Sequence, residues 1–370
     1  MTTLKVGLIG CGHIAQRAHL LNLKGMPRVE LVAFAEPEPE RRRAAARLAP
    51  KAKAFTDYEE LLESAEVDAV VICLPNALHA AAAVAALKRG RHIYLEKPLA
   101  TSLDEAQAVI EAWRPAGVVA MMGFNYRFNK LYESVRGHIR SRTLGQLLFA
   151  RSVFSTAVED LPLWKRARRS GGGVLLDLAS HHLDLLRHIF GQEVLEVFAE
   201  IRSRKSDGDS ATLHLRLADG MTVQSFFSTG AVEEDSLEIY GEGGKLSVDR
   251  YVSLEARITG PRLGGLRLGQ LRHGMRSLAR SPYVLEKMRA PLQEPSYRAA
   301  LSGFVSAAQT HTHPAPDLLD GYRSLAVVLA AEESARTGRP ISIAESLDEG
   351  RLIDLAGEGE KAAVSFGGKR

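Results

Sequence analysis

The stretch Gly7-Leu-Ile-Gly10-Cys-Gly12-His-Ile-Ala15 constrains this chain more than any other. An apolar run, LKVGLIG, leads into it and a helical pattern over His13–Lys24 leads out, so small residues sit where strand turns to helix. Gly10 permits the tight turn, Gly12 lets backbone approach a ligand, and Ala15 lets helix and strand pack closely. At His13 and Ile14 the new helix offers free N–H groups and a positive dipole end, which suit phosphates. The second strand, VELVAFAE, ends at Glu36. A carboxylate there can accept both hydroxyls of a ribose and repels a 2′-phosphate, so the predicted ligand is NAD rather than NADP. Arg41, Arg42 and Arg43 keep NADP open, although after Pro37 they read more simply as a solvated helix face.

Strand and helix signals alternate over the first 120 or so residues. Helices are predicted over Glu40–Leu48, Tyr58–Ser64, His79–Arg89 and Leu103–Trp113, and strands over VDAVVICLP, RHIYLEKP and GVVAMMGF. This alternation predicts a doubly wound parallel sheet. Strand signals then recur at Gln146–Thr156, Val194–Arg202, Ala211–Leu217, Met221–Thr229, Leu237–Tyr240 and Leu246–Arg250. With hairpin turns at Ala218-Asp219-Gly220 and Glu242-Gly243-Gly244 they predict an antiparallel sheet. Its one long helix is Gly173–Phe190, and two more are expected near Tyr297–Gln309 and Asp317–Thr337.

At 370 residues, 45% hydrophobic and 25% charged, the chain reads as a soluble protein of two domains. A net charge of +4 is too small to imply nucleic acid. Cys11 and Cys73 lack metal-type spacing and read as reduced thiols. MTTLK leaves no room for a signal peptide, and the apolar run Ala77–Leu87 is too short for a bilayer, so a cytoplasmic protein is expected.

Several polar residues fall where ligands of open α/β sheets bind, outside the carboxyl ends of the strands. Pro75, Asn76 and His79 follow the VDAVVICLP strand and are candidate cofactor contacts, with helix capping the other reading of Asn76 and His79. The next strand ends in Glu96-Lys97-Pro98. A charged pair at the end of a buried strand is costly unless something uses it. Lys97 either snorkels to solvent beside Glu96 or hydrogen-bonds a substrate hydroxyl and favours its ionisation.

The run Gly171-Gly-Gly-Val-Leu-Leu-Asp177-Leu-Ala-Ser-His181-His182-Leu-Asp184 opens the long helix. At about 100° per residue, Asp177, His181, Asp184 and His188 fall within roughly ±40° of one another. His182 falls in the apolar arc and reads as a core histidine with a satisfied hydrogen bond. Asp177 and His181, one turn apart, can form an acid–base pair in which the carboxylate fixes the tautomer; a solvated polar stripe is the plainer reading. A metal site lacks a third ligand, since His311-Thr-His313 reads as a loop. Ser180 lacks the elbow of a serine hydrolase. Trp164-Lys165-Arg166 forms either a wall of a substrate site or an anchor for the helix.

Gly10-Cys-Gly12-His-Ile-Ala15, Glu96-Lys97-Pro98, Gly123-Phe-Asn-Tyr126-Arg127-Phe and the Gly171–Asp184 run occur in that order. Together they resemble the Gfo/Idh/MocA oxidoreductases, over roughly residues 3 to 345. The resemblance implies a Rossmann domain over residues 1–123 and a substrate-binding α+β domain over 124–345, with a large open, mainly antiparallel sheet. Residues 346–370 are left as a polar tail. It implies a catalytic set of Lys97, Asp177 and His181, with Tyr126, Arg127 and Trp164 beside the substrate, Glu96 and Lys97 against the cofactor, and a cis peptide before Pro98. The implied reaction oxidises a hydroxyl of a sugar, cyclitol or nucleotide sugar by hydride transfer to NAD, or runs in reverse. The implied assembly is a homodimer or homotetramer joined through the open sheet. A redox-assisted glycosidase that retains NAD and a non-catalytic nucleotide-binding sensor are other outcomes of the same resemblance. Glu36 departs from the aspartate that many relatives carry. A segment from Arg257 to Arg289, with eight Lys/Arg and the single acid Glu286, is also longer and more basic than the resemblance implies. It reads as a solvated insertion or as a contact for phosphate groups or an anionic membrane surface.

Overall fold

Six short strands, each followed by helix, build the first sheet: β1 (Leu4–Ile9), β2 (Val29–Ala35), β3 (Lys53–Phe55), β4 (Ala69–Ile72), β5 (His92–Leu95) and β6 (Ala120–Met122). They lie in the order β3-β2-β1-β4-β5-β6, all parallel. That order reverses direction between β1 and β4, which opens a crevice at their carboxyl ends. The chain is described here by a computed structural model covering residues 3–157, 160–260, 283 and 294–346.

The central strands are apolar on both faces because helices cover both. Val6, Leu8, Val71 and Tyr94 point to one side, and Val70, Ile72, Ile93 and Leu95 to the other. Local signals mark the helix ends. Glu38 caps Pro39–Leu48 by accepting from the Glu40 and Arg41 N–H groups, and Ser102 caps Leu103–Trp113. The helix Pro295–Thr310, far along the chain, returns to this sheet, where Phe304 meets the Tyr94 ring edge-on at 5.7 Å.

The second sheet has eight strands: β7 (Leu147–Ala157), β8 (Val194–Arg202), β9 (Ser210–Leu217), β10 (Thr222–Ser228), β11 (Gly230–Gly241), β12 (Gly244–Asp249), β13 (Arg257–Thr259) and β14 (Ile341–Ser342). Their order is β13-β12-β11-β7-β10-β9-β8-β14. Every pair is antiparallel except β7 with β10, which run parallel at the centre. One face is buried against the helices Ser180–Phe190 and Leu318–Thr337, and the other carries exposed Arg151, His214 and Gln224.

The mainly antiparallel sheet matches expectation, while the parallel pairing corrects a purely antiparallel one. The expected helix Gly173–Phe190 is interrupted. Leu175–Ala179 form a π-helical turn before the regular helix Ser180–Phe190 begins. The helix Lys130–Arg140 and the short strands β3, β13 and β14 had no clear signal in the sequence. Most of the basic segment, from residue 261 to 289 apart from Tyr283, and nearly all of the polar tail lie outside the described residues.

Candidate active site

The glycine turn has the geometry its residues predict. Gly10 adopts φ +86°, and a Cβ there would lie 2.7 Å from the Cys73 carbonyl oxygen. Beside Gly12, by contrast, a Cβ would meet nothing within 4 Å. One glycine is required by the fold, and the other leaves open space in front of the helix start. Ala15 opens a π-helical turn, Ala15–His19, ahead of Leu20–Lys24. Glu36 is buried at the end of β2, accepting from the N–H groups of Cys11 at 2.8 Å and Glu38 at 3.0 Å. Each carboxylate oxygen keeps lone-pair capacity for a hydroxyl. The arginines that kept NADP open are tied locally: Arg42 donates to the Glu36 and Pro37 carbonyls, while Arg41 and Arg43 pair with Glu38 and Glu40.

Behind this edge, Cys11 and Cys73 are buried and unpaired. Burial, then the charge of Glu36, pushes the Cys11 thiol up to about 12. Neither thiol is an available nucleophile.

Lys97 follows β5 on a cis peptide to Pro98, as the resemblance implies. Glu96 is fixed beneath it, with Oε1 2.7 Å from His19 Nε2 and its carboxylate packed on Gly123, where a Cβ would come within 3.0 Å. His79 corrects its reading as a cofactor contact. It is buried, and its ring nitrogens lie 2.6 Å from the Pro98 carbonyl and 2.8 Å from that of Leu74. Burial lowers its pKa, against the pull of those carbonyls. His79 thus braces the Lys97-Pro98 turn. Asn76 is committed too: its amide donates to the Gly171 carbonyl at 2.8 Å, fastening the first sheet to the glycine run of the second domain. Pro75 precedes the short helical turn Asn76–Leu78.

Asp177 projects from the π-helical turn toward this edge and is held by two ammonium groups. Lys97 Nζ donates to the Asp177 carbonyl at 2.6 Å and to Oδ1 at 3.3 Å. Lys165 Nζ donates to Oδ2 at 2.7 Å. Burial works to raise the Asp177 carboxyl, but Lys165 and Lys97 outweigh it and hold it well below the usual carboxylate range. Burial dominates at Lys97 and lowers its pKa.

His181 stands on the next turn, 8% exposed, but it does not hydrogen-bond Asp177. This corrects the expected pair: the carboxylate is already taken by the two lysines. The His181 side chain makes no hydrogen bond to a described residue, and its buried Nδ1 has no partner. Burial, then Lys97, drives its pKa well below the ordinary histidine value, so the imidazole is neutral at neutral pH.

The imidazole is held instead by stacking. Tyr126 lies against it with ring centroids 4.5 Å apart and 16° between planes. The Tyr126 hydroxyl donates to Asp235 at 2.7 Å, and the same carboxylate accepts from Tyr132 at 2.6 Å and Arg250 at 2.7 Å, with His182 Nε2 3.0 Å away. His182 is therefore the satisfied core histidine that its helix face predicts. The substrate reading of Arg127 is also corrected. Its guanidinium forks onto Asp184 at 2.6 and 2.8 Å and reaches Asp320 at 3.1 Å, buried among helices. Trp164 is half-buried on the turn Leu163–Arg166, with the Lys165 ammonium 5.4 Å from its ring centre.

Sequence reasoning missed Lys165 and Asp235. Lys165 stood in a noted stretch but carried no spacing that linked it to Asp177. Asp235 did leave a signal: it shares the inward register of β11 with Leu237 and Ile239, an acid where apolar residues belong. Among the described residues there is no cluster of His, Cys, Asp or Glu able to hold a metal, and no helix long and apolar enough to cross a membrane.

The open space at Gly12, the helix start behind it and the inward Glu36 fit a dinucleotide, and known proteins agree. Residues 4–124 match the model of an oxidoreductase family with an NAD-binding Rossmann fold, and residues 132–247 match the GFO/IDH/MocA C-terminal domain. The chain is 28% identical over 351 residues to a myo-inositol 2-dehydrogenase of Thermotoga maritima, covering 92% of this chain and 99% of that protein. It is 30% identical over 348 residues to a 1,5-anhydro-D-fructose reductase of Ensifer adhaerens, at the same coverage of 92% and 99%. The crystal structure of a probable dehydrogenase from Thermotoga maritima superposes with a TM-score of 0.74 at 27% identity, covering 93% of this chain and 100% of that one. A glycine turn shaped for a dinucleotide, the Lys97–Asp177–His181 cluster at the same sheet edge, and these matches across both domains make the chain an NAD-dependent member of the Gfo/Idh/MocA oxidoreductase family.

Proposed function

We propose that the protein oxidises a ring hydroxyl of a sugar, cyclitol or nucleotide sugar, or reduces the corresponding ketone, with Lys97 and His181 working at the reacting oxygen. The observation that carries this reading is the meeting of Lys97, from the first domain, with Asp177 and His181, from the second, at the carboxyl edge of the parallel sheet. Bound NAD supplies the redox chemistry, accepting or giving a hydride at its nicotinamide. Gly10, Gly12, His13, Ile14 and Ala15 would hold its phosphates, and Glu36 its ribose, which favours NAD over NADP.

Among the chain's own groups, His181 is neutral and takes the hydroxyl proton. Lys97 keeps its ammonium and donates to the oxygen as negative charge develops there. Asp177 fixes that ammonium through its carbonyl and carboxylate, so no reorientation is needed during reaction. Reduction uses the same groups with the proton moving the other way. Lys97 is about one-eighth exposed, which strengthens these interactions relative to water. The substrate class is supported by the relatives named above, one an inositol dehydrogenase and one an anhydrofructose reductase. The same reading puts a homo-oligomer contact on the open face of the second sheet, where Phe198 and Phe226 lie half-buried among polar neighbours.

The test follows NADH absorbance when the protein and NAD meet a panel of cyclitols, free sugars, glycosides and nucleotide sugars. A signal with one class supports the reading and names that class. Silence across the panel while NAD binds contradicts it.

A further inference from the structure

Asp177 carries one negative charge, and two ammonium groups share it. The shorter contact to its carboxylate is that of Lys165, 2.7 Å to Oδ2, against 3.3 Å from Lys97 to Oδ1. Lys97 is held most closely by the Asp177 backbone carbonyl, at 2.6 Å. With His181 neutral, the cluster holds more positive than negative charge in a largely buried place.

Lys165 is built into this position. Its turn, Leu163–Arg166, wraps the glycine run: the Gly173 N–H donates to the Lys165 carbonyl at 3.3 Å, and a Cβ on Gly172 would lie 2.3 Å from that oxygen. Arg168, just beyond, pairs with Glu332 and donates to the Thr101 carbonyl, tying the turn to both domains. The backbone that carries Lys165 is therefore locked to the backbone that carries Asp177.

We propose that Lys165 is a positioning residue that competes with Lys97 for the Asp177 carboxylate and so sets how readily Lys97 gives up its proton. The inference rests on the role given to Lys97 above. The charged and titratable groups facing Lys97 are Asp177, Lys165 and His181 from the second domain, His79 from the helix His79–Lys88, and Glu96 beside it in the chain. Lys165 is the one among them that adds a second ammonium. Its charge works with burial to lower the Lys97 pKa, against Asp177 and Glu96. Removing it leaves Asp177 to Lys97 alone, and both changes favour the protonated amine.

Competitive acetylation of the full-length protein, read by peptide mass spectrometry across pH, reports the neutral fraction of Lys97 without any substrate. In wild type Lys97 should become reactive at lower pH than ordinary lysines. In Lys165→Met its profile should move to higher pH, with labelling at a fixed pH below its titration down by about three- to tenfold. Lys165→Arg, which keeps the charge, should stay near wild type, and Lys165→Gln replaces the Met variant if that one folds poorly. If the reagent cannot reach Lys97, the basic limb of the kcat/KM profile should make the same upward move. An unmoved profile in the uncharged variants, or an equal move in Lys165→Arg, overturns the inference. A shifted profile in a protein that turns over no substrate leaves this inference standing and sinks the dehydrogenase reading instead.

Discussion

The Tyr126 ring and the His181 imidazole are stacked 4.5 Å apart, and the Tyr126 hydroxyl is held at its far end by Asp235. The orientation of the imidazole thus depends on a carboxylate that never touches it. Asp235 is fully buried and gathers Tyr126, Tyr132 and His182 from three helical segments and Arg250 from the turn after β12. Burial alone would raise its pKa, but Arg250 and the hydrogen bonds from His182 and Tyr132 hold it far below the carboxylate range.

Asp235→Ala should destabilise the protein by about 3–5 kcal/mol, because it strands the buried Arg250 charge. Tyr126→Phe keeps the stack and loses one hydrogen bond, so it should cost about 1 kcal/mol and leave kcat within a few-fold. Tyr126→Ala removes the stack and should lower kcat by tenfold or more with little change in KM. Urea unfolding and steady-state kinetics separate the three. Equal kinetics in Tyr126→Phe and Tyr126→Ala would show that the stack does not position His181.

The two glycines of the turn should fail in different ways. Gly10→Ala forces a left-handed backbone on alanine and drives its Cβ into the Cys73 carbonyl, so it should unfold at distinctly lower denaturant. Gly12→Ala meets no protein atom within 4 Å and should unfold as wild type does, while NAD affinity drops at least tenfold. Unfolding curves paired with NAD titration calorimetry check both. Unchanged NAD affinity in Gly12→Ala would place the phosphates elsewhere.

The acid side of the pH profile follows from His181. Its pKa is driven down, first by burial and then by Lys97, so it stays a neutral base to lower pH than a free histidine. The sign is fixed: a base with a depressed pKa loses activity only at a correspondingly lower pH. The kcat/KM for oxidation should therefore stay level as pH falls through about 6.5, the ordinary histidine value. An acid limb at that value would mean that His181 is solvated, or is not the base.

What could be read from the chain, and what could not, divides along physical lines. The turn at Gly10, the space at Gly12 and the inward Glu36 at the end of β2 were legible because a strand-to-helix turn imposes local requirements on residue type. The charge of Lys97 at the end of a buried strand marked it for attention, but solvent and substrate readings stayed open until the resemblance joined it to Asp177 and His181. Pairings across the fold were not legible. Asp177 and His181 share a helix face at a regular 100° per residue, but the π-helical turn Leu175–Ala179 shifts that register, and the Asp177 carboxylate goes to Lys97 and Lys165. Arg127 was placed beside the substrate only because its motif resembles the family's, and only the fold brings Asp184 and Asp320 around it. The parallel β7–β10 pairing depends on where β7 enters the sheet, which alternation along a strand does not encode.

The central claim, that Lys97 works on the reacting oxygen rather than on the nucleotide, is tested most directly by Lys97→Met. Turnover and NAD affinity should be measured on the same preparation. The account predicts turnover lower by about 10² or more, with NAD affinity within about twofold of wild type. Turnover that survives, or turnover and NAD affinity that fall together, would contradict it.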